Sequence, residues 1–202
     1  MKIFRNGLLT GLLLQLAIGP VFLFIINLTL QKTLLNGLAA VVAVTLVDYL
    51  YIALTILGVG KLLEKKKIKK VFGIISSIVL ILFGLMIIKN ALIDTTSITL
   101  NPANTTSLLS SFSLVFFLTI SSPLTIVMWT SLFATKAIEN NYSKHELLIF
   151  GLSAGLATLI FMGTSVVLIS LLKETIPLIL IQILNIIVGI LLILYGAARL
   201  NK

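Results

Sequence analysis

The chain has 202 residues, 59% of them hydrophobic and only 10% charged, whereas a soluble domain carries roughly 25% charged residues. So small a polar fraction cannot wet a globule of this size. That excludes a soluble enzyme, a nucleic-acid-binding module and a disordered chain, and it places the protein in a membrane. The net charge of +9 is a statement about topology rather than about an acidic partner, as its distribution below makes clear.

A transmembrane helix needs about 20 mostly apolar residues to cross a hydrocarbon core of about 30 Å. Stretches of that length with at most one charge predict six spans, starting with Gly7–Gln31. Its basic start and apolar run resemble a signal peptide, but the run continues to Leu30 and Pro20 follows the small residues, so the segment is kept as a span. The second, Asn36–Gly60, carries one charge, Asp48; the third, Val71–Leu92, follows a lysine-rich loop. Ile93–Ser107, rich in Thr, Ser, Asn and Pro, reads as an external linker. Leu108–Phe133, Leu147–Leu172 and Ile176–Ala198 complete the set. Backbone groups must be satisfied inside a bilayer, so these are expected to be helices rather than the short alternating strands of a barrel.

Lys61, Lys65, Lys66, Lys67, Lys69 and Lys70 crowd the loop between the second and third spans. A short basic loop beside membrane ends faces the cytoplasm under the positive-inside rule. Fixing that loop inside also places Lys2, Arg5, Lys136, Lys144, Arg199 and Lys202 inside, twelve of the 15 basic residues. Both termini are then cytoplasmic. Topology and anionic lipid account for the lysine loop without a nucleic-acid or calmodulin partner.

The linker divides the chain into residues 1–92 and 108–202, and the halves resemble each other. Gly19-Pro20 in the first span matches Ser122-Pro123 in the fourth; Gly37 opens the second, Gly151 and Gly155 the fifth; Ile81-Leu82-Phe83-Gly84 in the third matches Ile193-Leu194-Tyr195-Gly196 in the sixth. Three spans per half turn the second half upside down relative to the first, the inverted-repeat pattern of secondary transporters with a site near the midplane. The expected fold is an all-α membrane protein of six transmembrane helices in two inverted three-helix repeats.

Counting along the spans brings Pro20, Asp48 and Pro123 to similar depth. A proline inside a helix lacks an N–H and displaces the carbonyl four residues earlier, here that of Leu16 or Thr119. Freed carbonyls are tolerated only inside protein or beside a wet cavity, so paired breaks predict a shared polar site; simple kinks are the structural alternative. Asp48 has no basic residue nearby in sequence, and an ionisable group at a helix centre costs about 2.5–3.5 kcal/mol, which makes it a candidate proton or cation acceptor rather than only a packing residue. Gln15, Thr119, Ser121 and Ser122 sit close enough to the breaks to line the cavity, although Ser and Thr also back-bond within their own helix. Trp129 reads mainly as packing or an interfacial belt. Gly7-xxx-Gly11 and Gly151-xxx-Gly155 allow close helix contact within the chain, with a homodimer as the lesser reading. Cysteine is absent and His145 stands alone in a polar loop, so no cofactor or metal is expected.

Six spans in about 200 residues, with Gly19-Pro20, Asp48-Tyr49, a basic loop, the ILFG segment and Ser122-Pro123 in that order, resemble the lysine exporter (LysE-type) family, which includes the homoserine/threonine exporters. The likeness extends over essentially the whole chain. It implies efflux of amino acids across the bacterial cytoplasmic membrane, driven by the membrane potential or a proton gradient. Val21 stands where that family usually has Asn or Gln after Gly-Pro, so substrate specificity does not carry over, and Ser121-Ser122-Pro123 stands where it often has Asn-Pro, which departs from a symmetric site. The residues and the resemblance together predict a transporter moving a small amine-bearing substrate, not an enzyme. The site is expected at Asp48, Gln15, Leu16, Gly19, Pro20, Thr119, Ser121, Ser122 and Pro123. A divalent-cation exporter and a non-transporting membrane subunit or assembly factor are the alternatives.

Overall fold

The computed structural model describes residues 1–16, 19–58, 66–93, 107–121 and 123–200, and among them the regular structure is helical. The helices are α1 (Lys2–Gln15), α2 (Pro20–Gln31), α3 (Leu34–Ile56), α4 (Lys66–Ile93), α5 (Leu108–Ile120), α6 (Pro123–Glu139), α7 (Lys144–Leu172) and α8 (Leu178–Leu200), with a short 3-10 turn at Lys173–Thr175. Local chemistry marks the starts. Thr33 caps α3 by accepting from the Asn36 N–H, and at α7 Ser143 and Glu146 form a reciprocal capping box.

Three helices are long and apolar enough to cross a membrane (Leu34–Ile56, Lys144–Thr175 and Ile179–Ala198), or up to five if each bent pair is one span. The bent pairs are α1–α2, at 76°, and α5–α6, at 60°. The expected first and fourth spans are thus each two helices. Pro20 and Pro123 are the first residues of α2 and α6, not residues inside a continuous helix. Proline suits a first turn because its missing N–H would have had no partner there. The expected third span lies inside α4, where the described apolar stretch is Ser77–Lys89. The chain is therefore a multi-pass membrane protein.

Packing crosses between the halves of the chain. α1 lies along α7, α5 along α3, α3 against α7, and α4 against α8. A methyl group on Gly11 would come within 2.6 Å of the Ala154 carbonyl oxygen, so α1 and α7 approach backbone to backbone. The α4–α8 contact is reciprocal. Gly84 faces Gly189 and Ile193, which precede Gly196 by seven and three residues; Gly196 faces Ser77 and Ile81, which precede Gly84 by the same intervals.

Two apolar cores fill the bundle. One comprises Val47, Tyr51, Ile52, Ile126, Trp129, Phe133, Phe150 and Ala154, at the end that holds Met1. The other gathers Phe24, Ile25, Leu28, Val41, Val44, Val115, Met162 and Val166 toward the opposite end. That opposite end is also tied by polar contacts between the halves: Asn36 Nδ2 donates to Ser111 Oγ (2.8 Å), Asn27 to Asn185, and the Lys173 ammonium to the Lys32 carbonyl.

Candidate functional site

Between the two cores lies a layer of buried polar groups centred on Asp48, which is 4% exposed. α3 carries Asp48 at the contact with α6 and α7, and its two carboxyl oxygens face different helices. Trp129 of α6 donates its indole N–H to Oδ1 at 3.1 Å. Thr158 of α7 donates its hydroxyl to Oδ2 at 2.8 Å. The same hydroxyl accepts from the Gln15 amide, at the end of α1, at 2.7 Å. Gln15 and Asp48 come from the first half of the chain, Trp129 and Thr158 from the second. The network therefore joins the two halves of the chain.

The donors around Asp48 are neutral, and the one ion pair among the described residues is Lys136–Glu139. An ionised carboxyl group only accepts hydrogen bonds, and an indole N–H only donates. The arrangement therefore fits the ionised form. A proton arriving on the carboxyl group would need an acceptor, and Trp129 cannot supply one. Thr158 could do so only by turning its hydroxyl around, leaving its own bond to Asp48 unmade. Protonation would reverse the Asp48–Thr158 bond and remove the charge that strengthens both contacts.

The other expected residues frame the helix breaks and do not hydrogen-bond Asp48 in the described structure. Leu16 caps α1 and is 63% exposed. Gly19 is the extended N-cap of α2, and a methyl group there would meet nothing within 4 Å, so the position opens onto space. Thr119 is buried, but its hydroxyl returns to the Val115 carbonyl at 2.7 Å, and its own carbonyl is taken by the cap turn of α5. The carbonyl freed for a side chain is instead that of Ile120, which accepts from the Tyr51 hydroxyl at 2.6 Å. Ser121 is the C-cap of α5; Ser122 lies outside the described residues, and Pro123 opens α6.

In the sequence Trp129 reads mainly as packing or a belt, and nothing singles out Thr158. Trp129 is fully buried in the core at the Met1 end, which fits packing and not an exposed belt, and it also donates to Asp48. Its signal in the sequence was its depth, six residues beyond Pro123. Thr158 had none, since nothing distinguishes one threonine on an apolar helix until the helix rotation is known. Tyr49 and Tyr51, neighbours of Asp48 in sequence, turn away to the Leu152 and Ile120 carbonyls. Among the described residues no group of three His, Cys, Asp or Glu could hold a metal ion.

The sequence profile of the LysE type translocator family matches residues 12–201. No curated protein and no solved structure matches the chain. A family match over nearly the full length, on a multi-pass bundle with a buried polar layer, makes the chain a member of the LysE type translocator family and so a membrane transport protein.

Proposed function

We propose that the protein is a secondary active transporter that exports amino acids, or related small amine-bearing metabolites, from the bacterial cytoplasm across the inner membrane by alternating access. In this reading six spans cross the bilayer, the first and fourth broken at Pro20 and Pro123. Both termini and the loop at residues 61–70 face the cytoplasm, as the basic residues favour. Residues 1–92 and 108–202 are inverted repeats joined by an external linker at 93–107. The reciprocal Gly84 and Gly196 contacts support that symmetry, as does the crossed pairing of α1 with α7 and α5 with α3.

The observation that carries the proposal is Asp48, buried at the layer where both halves supply its hydrogen bonds. A membrane-buried carboxyl group without a cationic partner is costly to keep unless it works. Apolar cores flank this layer on both sides, which supports an occluded arrangement in this reading. Asp48 would hold the substrate ammonium group or the exchanged proton. The first N–H groups of α2, beyond the break at Gly19-Pro20, lack helical partners and suit a carboxylate. Gln15, Leu16, Thr119, Ser121, Ser122 and Pro123 would shape the walls. Protonation of Asp48 would remove the charge that strengthens its bonds to Trp129 and Thr158, and so ease rocking of the halves. The test is efflux of radiolabelled amino acids from reconstituted vesicles with and without an imposed pH gradient. Gradient-dependent efflux supports the proposal; no efflux of any of them would leave the scaffold reading.

A further inference from the structure

The end of the bundle that holds Met1 carries an open crevice of about 250 Å³ between α1 and the turn joining α6 to α7. Nothing in the transport reading above uses it. Its polar lining is Asn6 and Thr10 from α1, Lys136 from the last turn of α6, and Asn140 and Tyr142 from the turn. Asn141 between the last two has a φ of 50°, a left-handed conformation that asparagine tolerates better than most residues; the chain reverses there and Asn140 and Tyr142 flank the same space. Lys136 donates to Glu139 at 3.2 Å, and an ammonium group has three protons to give. The side chains of Asn6, Thr10, Asn140 and Tyr142 make no hydrogen bond with another described residue. One cation and four neutral polar groups without internal partners thus line a single space, with the half-exposed Leu9 as apolar surface at its edge.

Behind the crevice a row of aromatic rings runs to the buried site. Tyr142 touches Phe150 with centroids 6.2 Å apart. Phe150 meets Phe133 edge-on at 5.6 Å, and Phe133 meets Trp129 at 6.1 Å. Trp129 is the residue that donates to Asp48. The row is packed and largely apolar, and it stands between the crevice and Asp48.

We propose that this crevice is the loading site on the cytoplasmic side, which takes the carboxylate of an amino-acid zwitterion on Lys136 with help from the amides and hydroxyls around it, and that the row Tyr142–Phe150–Phe133–Trp129 is the inner gate between it and Asp48. The inference rests on the transport reading and deepens it. A carboxylate is the fitting ligand because the only charged side chain in the lining is a cation, and its free protons and the amide N–H groups are donors. The zwitterion's side chain would lie on the apolar edge.

The chain has no cysteine, so Thr10→Cys provides a single thiol inside the crevice. Purified protein in neutral detergent, free of anionic lipid, is labelled with methanethiosulfonates of opposite charge. Lys136→Gln is expected to lower the ratio of anionic to cationic labelling by about an order of magnitude at low ionic strength, because losing a nearby cation slows the anionic reagent and speeds the cationic one by about four-fold each. A millimolar mixture of glycine, alanine and threonine is expected to slow labelling in the Thr10→Cys protein and not after Lys136→Gln. Glu139→Gln, which releases Lys136, is expected to strengthen that protection. In vesicles, Lys136→Gln is expected to raise KM for cytoplasmic substrate while leaving kcat near the parent value. An unchanged charge ratio, or protection by inorganic phosphate but not by the amino acids, would overturn the loading site. Absence of efflux with ratio and protection intact would instead sink the transport reading and leave a binding crevice.

Discussion

Replacing Trp129 by phenylalanine tests whether the polar layer is a working network or packed aromatic surface. The substitution keeps a ring against Phe133 and removes the indole N–H that lies 3.1 Å from Asp48. Asp48 is buried and water cannot replace the donor. Leaving a buried acceptor unsatisfied costs about 1–3 kcal/mol. For a chain of this length each kcal/mol moves Tm by about 2–4 °C, so Trp129→Phe is expected to lower Tm by roughly 2–12 °C on that conversion. The decisive comparison is the same substitution in an Asp48→Leu background. There the indole N–H is itself the orphan, and its removal should be neutral or stabilising. The assay is thermal unfolding in detergent followed by circular dichroism, because Trp129 is the only tryptophan and its fluorescence goes with it. Equal losses in both backgrounds would mean that ring packing alone is at stake, and the network argument would fail.

Four further outcomes follow from particular contacts. Gly84→Val places carbon within 2.6 Å of the Gly189 carbonyl oxygen and is expected to cost at least the roughly 1–3 kcal/mol of ordinary overpacking, read as a fall in Tm. Gly163→Ala meets nothing within 4 Å, and the same assay should show a gain of up to about 1 kcal/mol from helix propensity. Pro20→Ala is expected to change Tm by no more than about 4 °C, because Pro20 is the first residue of α2 and not an obstacle within a helix; a large stabilisation would restore the kinked-helix picture. Lys66→Cys should resist an impermeant thiol reagent in intact cells while Thr105→Cys reacts, and the reverse pattern would invert the proposed topology.

Much of the architecture could be read from where charges are missing. The gap between Arg5 and Lys32 delimits α1–α2 closely, and Lys136 marks the end of α6 to within three residues, while the start of α5 at Leu108 follows the polar stretch Ile93–Ser107. Pro20 and Pro123 were visible, but counting residues does not separate a kink from two helices joined at 60–76°. Either arrangement satisfies the missing N–H; only the path of the chain decides. Asp48 stood out because an ionisable group is rare at that depth, whereas Gln15 was one of several polar residues near the breaks; the structure links the two through Thr158. Trp129 and Thr158 lie 81 and 110 residues from Asp48 in the chain. Their part depends on which face of α6 and α7 turns inward, and the helices are too uniformly apolar to record it. Thr119 shows the converse failure: its depth was right, but its hydroxyl is absorbed by its own helix.

The central claim is that Asp48 is the working group of an exporter and not a packing residue. Asp48→Asn keeps the size and an acceptor for Trp129 while removing the charge and the titration. Efflux of radiolabelled amino acids from reconstituted vesicles under an imposed pH gradient, measured for the parent and for Asp48→Asn at equal amounts of folded protein, tests it most directly. Gradient-driven efflux by the parent and its loss in Asp48→Asn, with Tm near that of the parent, is the predicted result; full gradient-driven efflux by Asp48→Asn would contradict it.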